Sequence, residues 1–248
     1  METEREFGEP LLRAENISAD IGQFHILDNL TFSVPEGAVT VILGRNGAGK
    51  TTTMRTLMGF IHPSSGRIRF GGQSIDKLAA WQVRQLGIGY VPEDSNIFAN
   101  LSVEENLKMG VLTKGYDVLA AMESMMELFP DLRAARSRLG GQLSGGQRQM
   151  LAVASVLMEP PRLLLIDEPS KGLSPLFVHR LAEALLEIRR KSTILLVEQN
   201  FYLAAMIGDY YVLLEDGRVV RHGPMQELVD SPELQGRYLG LRVSGKEA

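Results

Sequence analysis

The stretch that decides the fold is GRNGAGKT at residues 44–51. It follows the β-branched run VTVIL at 39–43, which predicts a buried strand, and it precedes a segment that predicts a helix through about Gly59. Strand, glycine-rich loop and helix in this order are typical of a phosphate-binding loop. Glycine lets backbone N–H groups turn toward phosphate oxygens, and the helix N-terminus adds partial positive charge. The sequence therefore predicts a nucleotide phosphate site.

Each side chain of this loop has an expected role. Lys50 is expected to reach the β- and γ-phosphates, and the Thr51 hydroxyl is expected to hold Mg²⁺. The residues that we expect to bind ATP in the loop are Gly44, Arg45, Asn46, Gly47, Ala48, Gly49, Lys50, Thr51 and Thr52.

An acidic strand end, LLLIDE at 163–168, completes the predicted chemistry. Asp167 is expected at the carboxyl end of a buried strand, where it assists Mg²⁺ directly or through water. Glu168 is expected to point elsewhere, because side chains alternate along a strand, and to polarise the attacking water. A strand capped by a solvated acidic pair is the alternative, and the upstream phosphate loop disfavours it.

Periodicity predicts an α/β fold with a mainly parallel central sheet. Predicted strands cover 11–17, 30–34, 39–43, 67–70, 162–166 and 193–197, and EDG between 210–214 and 218–221 predicts a hairpin. Helices are predicted at 103–111, 118–129, 146–158 and 176–190. We interpret 1–248 as one domain in which a helical subdomain, about 94–158, interrupts a core made of 1–93 and 159–248. Met122, Met125 and Met126 are expected in the core of that subdomain.

Composition excludes several classes of function. The net charge of −4 disfavours a broad nucleic-acid surface, and the absence of cysteine excludes disulfides and thiolate sites. The four histidines are scattered, so no metal-ligand constellation appears. The N-terminus has no apolar stretch of the signal-peptide kind, and the apolar runs are far shorter than a membrane span. We expect a cytoplasmic protein that serves any membrane process through a partner.

LSGGQ at 143–147 is a third motif. With the phosphate loop and the acidic strand, it resembles the ATP-binding cassette family from residue 11 to about 223. The resemblance implies a P-loop NTPase, RecA-like core with an added antiparallel β subdomain. It also implies a head-to-tail dimer in which the signature residues contact an ATP bound by the opposite subunit: Ser144, Gly145, Gly146 and Gln147. Ser144 also suits an N-cap, and in the family both roles hold.

Two positions depart from the family pattern. YVPED at 90–94 puts Glu93 where a glutamine is usual, and VEQN at 197–200 puts Gln199 where a histidine is usual. Glu93 can still bind Mg²⁺ or water, and Gln199 can still donate to a γ-phosphate oxygen but cannot carry a proton there. With Glu168, both are expected in catalysis, so we predict a working ATPase. A nucleotide switch that does not hydrolyse ATP is an alternative.

Four further stretches resemble one branch of the family, and two other positions differ from the usual family residues. VPE, VEQN, LSVEENLKMG (101–110) and EPSKGLSP (168–175) resemble the smaller ATPase of branched-chain amino-acid importers. The resemblance implies an adenine contact near the first hairpin, where Ile21 replaces the usual aromatic residue. We expect the contact from Ile21 or from Phe24, although Phe24 can instead be a core or hairpin residue. Ser174 stands in GLSP, which matches the family's D-loop, where aspartate is common.

The resemblance also implies partners. A transmembrane permease would dock a short helix beside Ile97 and Phe98, although Phe98 can instead fix the helical segment to the sheet. The other implied partners are a second ATPase subunit, identical or not, and indirectly a solute-binding protein, with the chain on the inner face of the cell membrane. The cargo would be branched-chain or related amino acids, or a small polar solute such as urea. An exporter subunit and an ATPase of a soluble machine are the alternatives.

Overall fold

The computed structural model describes residues 10–240, and its strands form two sheets. The N-terminal residues 1–9, which hold most of the stretch where we expect no signal peptide, lie outside the described residues, as do 241–248. The strands are β1 (Pro10–Ile21), β2 (Phe24–Pro35), β3 (Val39–Leu43), β4 (Ser65–Phe70), β5 (Gln73–Ser74), β6 (Ile88–Val91), β7 (Leu163–Asp167), β8 (Thr193–Val197), β9 (Tyr210–Glu215) and β10 (Arg218–Pro224).

The helices surround these sheets. They are α1 (Lys50–Leu57), α2 (Ala80–Gln85), α3 (Val103–Met109), α4 (Val118–Leu128), α5 (Pro130–Ala134), α6 (Gly145–Leu157), α7 (Pro175–Ile188), α8 (Phe201–Ile207), α9 (Met225–Val229) and α10 (Pro232–Leu234). A 3₁₀ turn covers Gly140–Gln142 and a π-helical turn covers Gln235–Leu239. Of the helices within residues 10–240, none is both long and apolar enough to span a bilayer.

The central sheet has the order β10-β9-β3-β8-β7-β6 within the described residues. Its strands from β9 to β6 are parallel, and only β10 pairs antiparallel with its neighbour. The predicted mainly parallel sheet is confirmed. Parallel strands place their carboxyl ends on one edge, so the loops after β3, β6, β7 and β8 meet there.

Both faces of the central sheet are covered, which explains the unbroken apolar runs. In β7, Leu164 and Ile166 join one buried cluster while Leu163 and Leu165 join the other. The first cluster contains residues of α4, α6, α7 and α8. The second contains Met54 of α1 and the inner face of the antiparallel sheet, whose order is β2-β1-β4-β5.

The helical segment α3–α6 lies in sequence between β6 and β7 and shares the first cluster with the sheet. Met122 and Met126 are buried in that cluster and Met125 packs against it, which confirms the expected core methionines. Asn106 fixes the entry to the segment, because its amide donates to the carbonyls of Phe98, Leu101 and Ser102. The segment is therefore held to the sheet by apolar packing, and the buried Asn106 amide fixes the loop that leads into it.

Several short elements were not predicted. Strand β6 has four residues and helices α2, α5, α8 and α9 have between five and seven. Elements of that length span too few turns or pleats to show a clear period in the sequence. The predicted longer elements are confirmed with shifts of a few residues at their ends, except that β1 and β2 extend to the tip of their hairpin.

Candidate active site

The phosphate loop connects the end of β3 to the start of α1, as predicted. Gly49 has φ 99°, and a Cβ there would lie 2.9 Å from Leu27 Cδ2, so both backbone and space require glycine. The first backbone bond of α1 runs from Thr53 N to Gly49 O at 2.8 Å. The amides of residues 50–52 precede that bond and are directed out of the helix start, where an anion can accept from them.

Lys50 holds its ammonium group at the mouth of this loop. Its Nζ donates to Gly44 O at 3.0 Å and to Arg45 O at 3.1 Å, and it lies 3.5 Å from Glu168 Oε1. The Lys50 side chain is only 4% exposed, so the loop carbonyls and Glu168 fix its position. A buried cation beside outward backbone amides suits a polyphosphate.

Thr51 and Asp167 come together as expected. Thr51 Oγ1 donates to Asp167 Oδ1 at 3.3 Å, and Tyr90 OH lies 3.4 Å from Asp167 Oδ2. Burial raises the pKa of Asp167 to about 6, against the lowering effect of the Thr51 hydrogen bond. Mg²⁺ in nucleotide sites is commonly bound by one or two carboxylates together with phosphate oxygens. One hydroxyl and one carboxylate beside the phosphate loop fit that donor set.

The Glu168 side chain also lies at this site, but its direction has a different cause from the predicted one. Strand β7 ends at Asp167, and Glu168 has φ 46°, so a left-handed turn and not strand alternation directs its side chain. Gln199 Nε2 donates to Glu168 Oε1 at 2.6 Å. Because Lys50 also faces Oε1, the carboxylate is held from two sides through one oxygen. Lys50, Glu168 and Gln199 are thereby brought into one cluster.

Glu198 is a site residue that the sequence analysis missed. Its side chain is almost fully buried and accepts hydrogen bonds from Ser170 N and Oγ and from the amides of Gln199 and Asn200, at 2.9–3.1 Å. Burial raises the pKa of Glu198, while these hydrogen bonds act in the opposite direction. The carboxylate ties the turn after β7 to the turn after β8 and so positions Gln199 beside Glu168. The signal that the sequence offered was a glutamate directly after the apolar run of β8.

Glu93 lies at the edge of this cluster. Within residues 10–240, the polar partner of its side chain is Lys171, with which it forms an ion pair. The pair joins the loop after β6 to the turn after β7. The expected role of Glu93 in binding Mg²⁺ stays a prediction, since its direct contact is with Lys171 and not with Thr51 or Asp167.

The signature residues lie at the start of α6. Ser144 is its N-cap, and Ser144 and Gln147 exchange hydrogen bonds of 3.0 and 3.3 Å in a capping box. Ser144 and Gly145 are exposed, whereas a Cβ on Gly146 would lie 2.5 Å from the ring of Phe177. Among the described residues, each of the Ser144 and Gln147 side chains accepts from the other residue's backbone N–H, and neither bonds to the phosphate loop. They are presented outward.

The β1–β2 hairpin carries the two residues expected at the adenine. Ile21 and Phe24 form its last pair and are 44% and 65% exposed. The hairpin is attached to the phosphate loop through Gly217, whose amide donates to Ala48 O at 3.1 Å and whose carbonyl accepts from Asp28 N at 3.0 Å. An exposed apolar pair at the tip of this hairpin suits the face of a base, so Ile21 and Phe24 both stay predictions for the adenine contact.

A groove of about 350 Å³ opens beside the loop after β6. Its walls include six apolar side chains: Phe60, Tyr90, Ile97, Phe98, Met109 and Leu112. Phe98 is 53% exposed, and its backbone is held by Asn106 at 2.7 Å, so its position does not depend on its own ring being buried. An exposed apolar groove of this kind suits a partner's helix.

Comparison with known proteins gives the family. Residues 27–171 match the ABC transporter family. The high-affinity branched-chain amino acid transport ATP-binding protein BraG of Pseudomonas aeruginosa is 37% identical over 232 residues, which covers 93% of this chain and 100% of BraG. The probable branched-chain amino acid transport ATP-binding protein LivF of Archaeoglobus fulgidus is 37% identical, with 93% and 99% covered.

A more distant relative and a solved structure agree. The lipopolysaccharide export system ATP-binding protein LptB of Acidithiobacillus ferridurans is 30% identical, with 93% of this chain and 97% of LptB covered. The ADP conformation of an ATP-binding cassette of an ABC transporter superposes with a TM-score of 0.82 at 26% identity, covering 94% of this chain and 99% of that one. The chain therefore belongs to the ABC transporter family, as an ATP-binding cassette that hydrolyses ATP.

Proposed function

We propose that this chain is the ATP-hydrolysing subunit of an importer for branched-chain or related amino acids, docked on a membrane permease. The observation that carries the hydrolytic part is the Glu168 carboxylate, held by Gln199 Nε2 at 2.6 Å and facing Lys50 Nζ at 3.5 Å. This arrangement supports Glu168 as a fixed general base beside the cation expected to bind the γ-phosphate.

The chain's own groups have separate tasks in this reaction. The amides of residues 50–52 and the Lys50 ammonium bind the phosphates and neutralise charge that develops on them. Glu168 orients the attacking water and accepts its proton through the oxygen that Gln199 and Lys50 do not contact. Gln199 fixes the carboxylate and cannot itself take the proton. Thr51 and Asp167 would hold Mg²⁺, which would supply charge neutralisation at the β- and γ-phosphates.

The outward placement of Ser144 and Gly145 supports a second ATPase subunit as partner. In a head-to-tail dimer, the start of α6 would meet the γ-phosphate of an ATP bound to the other subunit's loop. ATP would then join the two subunits and hydrolysis would release them. The second subunit can be a copy of this chain or a different ATPase.

The apolar groove beside Phe98 is the proposed permease site, and it would place the chain on the inner face of the cell membrane. Ile97 and Phe98 line this groove and belong to the loop that also carries Glu93. A docked helix would therefore contact the loop whose Glu93 lies at the edge of the Glu168 cluster. A solute-binding protein would act indirectly, through the permease.

The proposed cargo rests on the relatives. BraG and LivF are named for branched-chain amino acid transport, and both match along almost their whole length. A second candidate is an export subunit, because LptB, named for lipopolysaccharide export, also matches along almost its whole length. The higher identity to BraG and LivF favours import.

Steady-state phosphate release tests the hydrolytic assignment. We expect Glu168→Gln to lower kcat by about 10²-fold or more, because a general base contributes that much, while ATP binding persists. Glu183→Gln, at a side chain that is 66% exposed on α7, is the matched control and leaves kcat unchanged. Equal phosphate release from the wild type and Glu168→Gln would exclude Glu168 as the base.

Two further measurements test the partners. Light scattering on Glu168→Gln is expected to show a dimer that requires Mg-ATP. A tagged chain is expected to retain a permease from the membrane fraction, and Phe98→Glu is expected to lose it, since a charge in the groove opposes apolar docking. Recovery of a lipid-export permease would contradict the import assignment.

A further inference from the structure

Three carboxylates besides the buried Glu198 lie at or near the nucleotide site. Asp167 ends β7, Glu168 follows that strand, and Glu93 follows β6, the strand paired with β7 in parallel. Where the family has a neutral glutamine, Glu93 adds one more negative charge to a site that must receive a polyphosphate. Like charges repel each other, so the added carboxylate opposes nucleotide binding unless a cation balances it.

Lys171 is the cation that meets Glu93. Its Nζ forms an ion pair with Glu93 Oε1, and its backbone N donates to Glu168 O at 3.2 Å. The lysine therefore extends from the same turn that directs Glu168. Its side chain is 63% exposed and that of Glu93 is 33% exposed, so the pair lies at the rim of the site. The hydrogen bond with Glu93 raises the pKa of Lys171, with smaller effects from Glu168 and Asp94, which is consistent with a charged lysine in an acidic surrounding.

Lys50 cannot take over this role. Its ammonium is committed to the carbonyls of Gly44 and Arg45 and to Glu168, and it is buried inside the loop. Among the described residues, the ion pair of Glu93 is with Lys171, so loss of that lysine would leave the carboxylate without a paired cation.

We propose that Lys171 is a positioning residue for Glu93: it neutralises that carboxylate and holds it at the rim of the nucleotide site. Nucleotide binding then depends on Lys171 only because residue 93 is a glutamate. This inference rests on the proposed function, in which ATP occupies the loop that begins at Gly44.

A double-mutant cycle tests it. The dissociation constant for the non-hydrolysable analogue AMP-PNP with Mg²⁺ is measured by calorimetry at low ionic strength for the wild type, Lys171→Met, Glu93→Gln and the double variant. We expect Lys171→Met to weaken binding about 2- to 5-fold, the range typical of half-exposed ion pairs. In the Glu93→Gln background the same change is expected to have an effect below about 1.5-fold.

Two controls separate charge pairing from other causes. Lys171→Arg keeps the cation and is expected to bind as the wild type does. Lys191→Met removes an exposed lysine that precedes β8, at the opposite end of the sheet, and is expected to have no effect. The loss in Lys171→Met is also expected to shrink at about 0.5 M salt, where the Debye length falls to a few ångströms.

The other outcomes overturn the inference. Equal weakening in the wild-type and Glu93→Gln backgrounds would mean that Lys171 contacts the nucleotide itself. No weakening in either background would mean that the pair does not affect the site. A wild type that binds no AMP-PNP would instead defeat the proposed function, and the inference with it, and that result is distinct from both of the others.

Discussion

Gln199 Nε2 donates a 2.6 Å hydrogen bond to Glu168 Oε1, so the side chain after β8 orients the carboxylate after β7. The two residues belong to neighbouring parallel strands whose carboxyl ends meet at one sheet edge. Gln199 stands where the family has a histidine, and the hydrogen bond shows that an amide can hold the carboxylate in place. We therefore propose that Gln199 orients this carboxylate and takes no part in proton transfer.

This relationship predicts the effect of changing Gln199. We expect Gln199→Ala to lower kcat for phosphate release about 10- to 100-fold with little change in the KM for ATP, because a mobile carboxylate loses its alignment only in the reaction step. Gln199→His retains a donor and is expected to keep most of the activity. A rise in KM with unchanged kcat would contradict the assignment and indicate a role in ground-state binding.

The two signature glycines are expected to respond differently to alanine. A Cβ on Gly146 would lie 2.5 Å from the Phe177 ring, whereas a Cβ on Gly145 would meet no atom within 4 Å. We expect Gly146→Ala to lower the free energy of unfolding by about 1–3 kcal/mol, as overpacking does. Phe177→Leu is expected to relieve that loss in the double variant. Chemical denaturation measures both.

Gly145→Ala serves as the matched control for stability and as a test of the dimer. Its free energy of unfolding is expected to change by less than about 0.5 kcal/mol, because the site is exposed and open. If Gly145 faces the partner's nucleotide, the added methyl group weakens the ATP-dependent dimer of the Glu168→Gln background. An unaltered dimer, measured by light scattering, would remove Gly145 from the proposed interface.

The sequence predicted the parts of the site whose chemistry is local. The loop that ends in Lys50 and Thr51, and the strand that ends in Asp167, carry their roles in contiguous residues with a fixed backbone. Glu198 could not be recognised in this way, because the hydroxyl that it binds belongs to Ser170, 28 residues away. The prediction for Glu168 gave the wrong reason for the direction of its side chain, since a left-handed turn and not strand alternation sets that direction.

The Glu93–Lys171 pair also could not be predicted from the sequence, and its two residues are even further apart. The two residues are 78 positions apart and meet only because β6 pairs with β7. Strand β6 was itself not predicted, because its four residues hold no clear alternation. Long-range side-chain pairing therefore needs the sheet order, which no single stretch of the sequence specifies.

The hairpin beside the expected adenine position has a pH-dependent contact. His25 Nδ1 lies 2.7 Å from Asp20 Oδ1, and this hydrogen bond raises the pKa of His25 above its ordinary value of 6.5. The stabilising ion pair is thus complete below pH 6.5 as long as Asp20 stays ionised, and it is lost as pH rises through the folded-state pKa of His25. NMR titration of the ring is expected to show the raised pKa, and Asp20→Asn is expected to move it back toward 6.5. Asp28→Asn, at 3.9 Å from Nε2, is expected to move it less.

Glu198 is expected to be the acidic residue of the site whose loss costs the most stability. Its carboxylate accepts from four donors in two turns, and glutamine would turn an NH₂ group toward some of them. We expect Glu198→Gln to lower the free energy of unfolding by about 1–3 kcal/mol at pH 7, measured in urea, because buried donors lose their acceptor. Activity is expected to fall as well, since Gln199 loses its fixed backbone. Glu183→Gln, on an exposed helix face, is expected to cost less than about 0.5 kcal/mol. Equal stability of the two variants would mean that the turns after β7 and β8 hold together without the Glu198 carboxylate.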